Sequence, residues 1–467
     1  RLVLRALQLN GRIEKARRAI KTDVKAWNQN LVRELDAALD TKDHKTAWSV
    51  SRRLAGRLYK QPRQPPMHKQ ICKRAWLEHF STVQLATESA EARAVPGTLG
   101  NRSLPGPLQP MFTGEEGCRA LAQAAQKMLR GKATPPGTLP VEVWSLLLQG
   151  QSDVHPGLLL MPVFELMQSA GTNFEEWCAG HGCPIPKPGG DASPNGHRVI
   201  SLLDPIGKVF YKAALNLQAD PPLPHQYGYS AQRSRRDAIL QLTVLLERLQ
   251  QERVCTSANL YDLTKAFDML SSQSVVANLS NDLALHPTLK ALLIDMQGRL
   301  QVKMPITGQA PLTVNLGTGV LQGGGTGPRL FRRVYDDAIQ DWQTQTWSDS
   351  RLTCVAYEGQ ELDLSVAAYA DDLVRVEAGR DIRRAERLTV DHTDSLKEVL
   401  QRHRLELNLR KSESLVAVRG RGAYSAAERV FAGDWAGPPL KQSVKYLGAH
   451  IQAQLSMKLE DRKSTRL

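Results

Sequence analysis

The 467-residue chain lacks any run of about 18 apolar residues, so no segment reads as a membrane-spanning helix. Its best apolar stretch, Gly157 to Phe164, is far shorter and carries a proline. Cysteine is scarce: Cys72, Cys118, Cys178, Cys183, Cys255 and Cys354 are scattered, with no Cys-x-x-Cys pair. That usage excludes a disulfide framework and a common zinc finger, and fits a reducing compartment. Cys178, His181 and Cys183 cluster, but a fourth ligand is missing, and they read as plain thiols beside a loop. Internal repeats and low-complexity tracts are absent too. What remains, 42% hydrophobic and 23% charged, is an ordinary globular composition. The length suits about two to four domains.

Acid is short as well: 47 Asp+Glu stand against 61 Lys+Arg, a net charge of +14. The surplus is local. Residues 1–75 hold 19 basic and 6 acidic groups, leaving 42 and 41 in the other 392. The N-terminal segment therefore expects a polyanionic partner, and the body behind it is near neutral. Residues 1–60 carry apolar positions mostly three and four apart (Leu4, Leu7, Ile13, Ile20, Val24, Trp27, Leu31, Leu35), which predicts a basic helical extension. Gln61 to Pro66 reads as a linker. Helices are expected over 70–92, 115–131, 141–148 and about 203–217, with Pro/Gly-rich breaks at 96–110, 135–137 and 183–190. From about 255 to 452 short β-type runs alternate with helical ones, an α+β pattern.

Three places carry chemistry. Ala368-Tyr369-Ala370-Asp371-Asp372-Leu373-Val374 reads as a β-hairpin with an Asp pair at its tip, since apolar residues alternate on both sides. Adjacent carboxylates on a tight turn repel unless a cation joins them, and Mg²⁺ is often held by one or two carboxylates plus substrate phosphates. Upstream, Tyr261-Asp262-Leu263-Thr264-Lys265-Ala266-Phe267-Asp268 places Asp262 where a strand-like run gives way to a helix-like one. Three carboxylates on neighbouring strands suit two-metal phosphoryl transfer. Between them, Gly317 to Gly327 is rich enough in glycine for close backbone approach to a ligand, but lacks the Gly-Lys-Ser/Thr ending of a P-loop.

In this order the three elements resemble the reverse transcriptase domain of non-LTR (LINE-type) retroelements. Tyr-Ala-Asp-Asp resembles that family's catalytic hairpin, Asp262 to Asp268 its Asp-x-x-Lys-Ala-Phe-Asp pattern, and Gly319 to Gly323 its Gly-Val-Pro-Gln-Gly loop. Pro184 to Gly189 with Arg198 to Leu203, and Gln226-Tyr227-Gly228-Tyr229, resemble its fingers blocks. Leu407 to Ser412 and Val444 to Gly448 resemble its lysine-bearing palm motif and primer-gripping hairpin. The resemblance covers about residues 180–452.

It implies a right-hand polymerase, α+β, with fingers and a palm on a small antiparallel sheet, preceded by a helical extension. The expected organisation is extension 1–60, a helical and loop region 61–179, fingers and palm 180–452, and the start of a thumb at 453–467. The implied activity is RNA-directed DNA synthesis with two Mg²⁺ ions, Mn²⁺ a possible substitute. Asp262, Asp371 and Asp372 would bind the metals, and Lys411 would protonate or neutralise pyrophosphate. Lys187, Arg198 and Gln322 would meet the dNTP, and Phe267 would bar a ribose 2′-hydroxyl. Tyr446, Leu447 and Gly448 would grip the primer. The implied partners are template RNA, a DNA primer and dNTPs, with endonuclease and thumb domains of a longer polyprotein. The implied setting is an intracellular ribonucleoprotein in nucleus and cytoplasm. Departures exist: Gly325 and Gly327 replace the family's Pro and Ser, Leu321 and Val199 replace prolines, and a long gap before Asp371 reads as an inserted hairpin. An intron-type maturase and a decayed, RNA-binding relic stay open as alternatives.

Overall fold

The computed structural model describes residues 71–88, 107–149, 156–218, 223–230, 232–346, 352–355, 361–420 and 422–452, with parts of 22–50. Of the expected extension, residues 32–40 are helical; most of 1–60, the 61–66 linker and 453–467 lie outside the described residues. The chain divides into two compact units, Arg1–Lys69 and Gln70–Leu467. The second carries every candidate site residue. Among the described residues no helix is long and apolar enough to cross a membrane.

This unit begins with helix α1 (Lys73–Gln84), which buries Trp76, Phe80 and Val83 at helical spacing. The expectation of a helix through 92 needs correcting. Leu85 turns left-handed (φ 49°) and closes α1, and Thr87–Glu88 pair as strand β1 on a sheet edge. Helices α2 (Gly114–Gln126), α3 (Val141–Gln149) and α4 (Met161–Ala170) follow. Pro162 in its first turn and a left-handed Gly171 after its end bound α4.

The fingers sheet has the order β1-β6-β5-β2-β3, with β2 Ala179–Pro186, β3 His197–Leu202, β5 Gln301–Met304 and β6 Leu312–Asn315. The Pro-rich segment from Cys183, expected as a break, is thus strand as far as Pro186. Beyond His181, β2 pairs only with β3. Pro184 and Pro186 can therefore lack a donor on the open side. Helix α5 (Pro205–Asn216) is capped by Asp204, which accepts from the backbone N–H of Ile206 and Gly207. Phe210 packs against Trp177 and Phe112, with ring centroids 5.3 and 5.5 Å apart. The region before residue 180 thus shares the fingers' core.

The palm sheet is antiparallel throughout, in the order β11-β4-β10-β9, from β4 Cys255–Tyr261, β9 Val366–Tyr369, β10 Asp372–Gly379 and β11 Glu413–Ala417. The expected insertion is a separate hairpin, β7 (Thr353–Val355) with β8 (Glu361–Asp363). Helix α6 (Arg235–Gln251), started by a Ser234/Asp237 capping box, packs Leu242, Leu245 and Leu246 near Ala258, Val374 and Val376. The hairpin β12 (Ser443–Tyr446)–β13 (Ala449–Gln452) joins the same cluster. Period-2 alternation sends the intervening residues to the other face. There they meet α9 (Thr326–Gln345) and α10 (Ile382–Arg402), which follow α7 (Ser272–Asn281) and α8 (Pro287–Gly298) in the chain.

That face is polar and buried. Arg375 donates to Glu377 at 2.7 Å, His392 Nδ1 lies 2.7 Å from the same Glu377 oxygen, and the Arg375 guanidinium sits 4.6 Å from the Trp342 ring centroid. Asn259 donates to Thr389, and the Tyr261 hydroxyl pairs with Thr393. Charges buried in this way are held because each has a partner.

Candidate active site

Pairing of β9 with β10 puts Tyr369 opposite Asp372, so Ala370 and Asp371 form a two-residue turn. Asp371 occupies the tip, and Asp372 begins β10. Ala370 takes a left-handed φ of 59°, as the first turn residue of a tight hairpin does. The last β10–β4 pair is Leu373 with Tyr261, so Asp262 leaves β4 beside Asp372. Asp262 is also braced from the palm motif. Its carbonyl accepts from Asn408 N–H at 2.8 Å, its own N–H donates to Ser412 Oγ at 3.2 Å, and the Asn408 side chain bonds its carboxylate.

The carboxylates feel one another. Desolvation, then Asp371 and Asp262, push Asp372 up to about 6, although it is the most exposed of the three. Asp262 is raised by burial and by Asp371 against the pull of Lys411; Asp371 is raised by burial. Negative groups gathered until they resist ionising are a suitable donor set for a hard divalent cation. Among the described residues, however, no group of three or more His, Cys, Asp or Glu side chains is disposed to hold a metal ion by itself. The set therefore fits Mg²⁺ as two carboxylates completed by substrate phosphates.

Asp262 and Asp371 open on a cleft of about 590 Å³ that Lys187, Arg198, Phe267, Gln322 and Lys411 also line. Seven of the expected site residues thus share one cavity. Asp372, Tyr446, Leu447 and Gly448 are not among its walls. Tyr446 lies beside Asp372, whose charge helps burial to raise the phenol. Leu447 and Gly448, both at positive φ, make the turn of β12–β13. Phe267 stacks on Phe331 at 4.5 Å and meets Tyr229 edge-on at 6.3 Å. Gln322 donates its side-chain amide to Asp268 at 3.0 Å, and its backbone carbonyl accepts from Ser201 N–H at 2.7 Å. Here glycine is obligatory: Gly323 has φ 151°, and a Cβ would lie 1.8 Å from the Ser201 carbonyl oxygen.

Sequence reasoning assigned no role to several wall residues. Lys265, left-handed at φ 46°, donates to the Asn195 side chain, while Lys187 Nζ donates to the Asn195 carbonyl at 2.8 Å. His79 reaches the cleft from α1; burial, Lys265 and Lys187 lower it to about 4, so it stands neutral. Asp268 is raised by burial and held by Gln322. Asn408 and Lys265 lay within quoted motifs, but His79 carried no signal. Cys178 is a buried thiol pushed up to about 12 by burial, consistent with a plain thiol.

On the far side of the glycine-rich loop lies a second cavity of about 830 Å³. Lys127, Lys132, Lys208, Lys212 and Arg329 line it with no acidic residue.

A four-stranded antiparallel palm with carboxylates at a hairpin tip, facing cationic fingers, defines a right-hand polymerase. A family model for reverse transcriptase (RNA-dependent DNA polymerase) matches residues 185–451, more than half of the chain, and the chain belongs to that family. Among solved structures it is similar to apo telomerase from Candida tropicalis truncated from its C-terminal domain. That match has 12% identity and a TM-score of 0.37 over 60% of this chain and 54% of that one. Telomerase from Candida albicans with a fragment of telomeric RNA gives 13% and 0.37 over 60% and 46%. Telomerase from Candida tropicalis with such a fragment gives 12% and 0.40 over 61% and 45%. The chain thus spans about half the length of these structures. No curated protein matches it.

Proposed function

We propose that this reverse transcriptase domain serves a non-LTR retroelement of the LINE type and copies template RNA into DNA from a primer 3′-hydroxyl. The observation that carries the reading is that Asp262 and Asp371 open on the same cleft as Lys187, Arg198 and Phe267. Lys187 and Arg198 hold the dNTP triphosphate, the guanidinium fork matching phosphate oxygens. Asp262 and Asp371 would hold Mg²⁺ with the substrate phosphates, and Asp372 would support them as the hairpin's second carboxylate. When bound, the metal makes the 3′-hydroxyl more acidic and offsets charge on the leaving pyrophosphate. Lys411, close enough to Asp262 to oppose the rise of its carboxyl, supplies a proton or a charge to the pyrophosphate. Phe267, fixed by Phe331, fills the space of a ribose 2′-hydroxyl. Gln322 keeps its side-chain carbonyl and second amide N–H beside the nucleotide. Tyr446, Leu447 and Gly448 steady the primer next to Asp372. The second cavity, whose charged walls are all basic, and the extension 1–60 take template RNA, and residues 180–452 act as fingers and palm.

Primer extension on poly(rA)/oligo(dT) tests this. Wild type is expected to extend, and Asp371→Asn to lose at least about a hundredfold, as loss of a transition-state charge partner does. Equal extension by both would sink the catalytic assignment. No extension by either would favour the relic that only binds RNA.

A further inference from the structure

Gln226 lies in a fingers block, far in sequence from the carboxylates, yet its side chain reaches their hairpin. It is fully buried. Its Oε1 accepts from Gly228 N–H at 2.8 Å and from Ala370 N–H at 3.3 Å, while its Nε2 donates to Asp336 Oδ1 at 2.9 Å. The flanking backbone locks on as well: Tyr227 N–H donates to the Ala368 carbonyl, and Ala368 N–H to that of His225, both at 2.8 Å. Gly228 is pressed so close that a Cβ would lie 2.1 Å from Ala370 N. Asp336 sits on α9, its charge met by Arg332 Nε at 3.7 Å; His225, 4.0 Å away, is lowered to about 4 by burial and stays neutral.

We propose that Gln226 and Asp336 form a positioning tether that fixes the Ala370–Asp371 turn, and with it the metal-binding carboxylates. Ala370 occupies a left-handed conformation that alanine disfavours, and its N–H points at Gln226. Asp371 follows directly, so any relaxation of Ala370 moves that carboxylate. The donor pattern requires an amide, because one end must accept two N–H groups and the other must donate to a carboxylate. The metal-binding role rests on the function proposed above; the tether itself does not.

The test uses the full chain with Gln226→Glu, Asp336→Asn and the double variant. Gln226→Glu sets carboxylate against carboxylate. The double variant reverses one hydrogen bond, the amide now on α9 donating to the carboxylate now in the fingers block, and restores the charge count. Readouts are Mn²⁺ affinity by titration, amide hydrogen exchange at residues 369–373, and the unfolding midpoint. Gln226→Glu is expected to weaken Mn²⁺ binding and speed exchange at the turn, each roughly tenfold, the scale of one unmatched buried polar group. The double variant should recover both to within about threefold, since its pairing is satisfied again. Unchanged Mn²⁺ affinity and exchange in Gln226→Glu, or a double variant no better than it, overturn the tether. If Gln226→Glu alone does not fold, recovery of fold and Mn²⁺ affinity by the double variant upholds the proposal, and failure to recover overturns it. Protected turn amides with rescue, in a chain that extends no primer, would refute the enzymatic reading and leave the tether standing.

Discussion

Asp372→Asn should stabilise the metal-free protein at neutral pH. In the fold this carboxyl rises from the ordinary 3.8 to about 6, through desolvation and the neighbouring Asp371 and Asp262. A group whose folded pKa is raised stabilises most below the unfolded value and loses that contribution as pH rises through the folded one. Wild type therefore surrenders stability between about pH 4 and pH 6, and the asparagine variant escapes that loss. In a sheltered site such a rise is worth about 3 kcal/mol. Asp372 is exposed, and solvent screening leaves about 1 kcal/mol. For a unit of this size that is about 1 °C in the unfolding midpoint. Removing the charge also relieves Asp371 and Asp262, so the effect belongs to the cluster. The assay is thermal unfolding of both proteins in chelator from pH 4 to 8, repeated with millimolar Mg²⁺. The variant's advantage should be absent near pH 4 and full above pH 7. Mg²⁺ should narrow or reverse it, because the wild type binds the ion more tightly. A difference that ignores pH, or a less stable variant at pH 7.5 without metal, refutes the argument.

Phe267→Val should admit ribonucleotides, lowering the dNTP/rNTP ratio of kcat/KM by about 10–100-fold, as removal of one steric contact permits; an unchanged ratio would mean that the ring only packs on Phe331. Gly323→Ala should cost about 2 kcal/mol or more in urea unfolding, since its Cβ meets the Ser201 carbonyl oxygen. Gly325→Ala, with nothing within 4 Å of the new Cβ, should stay within about 0.5 kcal/mol. Replacing Lys127, Lys132 and Lys212 by Gln should lower the salt slope of single-stranded RNA binding by about 2, the release expected of three contacts. Fluorescence anisotropy at several salt concentrations reads it, and an unaltered slope would put the RNA elsewhere.

Much of the palm was legible in the chain because its signals are local. Strand alternation around Tyr369 to Val374 and the turn residues between specify a hairpin before any tertiary contact forms. The same holds for Asp262 at a strand end, whereas the run Val444 to Ile451 reads as one strand and is split into two by a turn at Leu447 and Gly448. Less legible was the region before residue 190. There Leu85 ends a helix early to let β1 pair with β6, and two prolines sit in a strand because its outer half has one neighbour. The first outcome depends on a partner more than two hundred residues away, and the second on where the pairing of β2 with β5 stops, at His181.

Residue identity and spacing alone marked out Asp262, Asp371, Asp372 and Phe267 within their motifs, since a motif is a short-range object. Only the tertiary structure decided who stands around them. His79 comes from a helix ahead of the fingers, Asn408 and Ser412 brace Asp262 across an antiparallel pair, and Gln226 reaches a turn 144 positions on. The charge balance shows the same division. The body sums to near neutrality, 42 against 41, yet folding sorts it into a carboxylate cluster and a cavity whose charged walls are all basic. Coulomb interactions act through distance in space, which composition does not record.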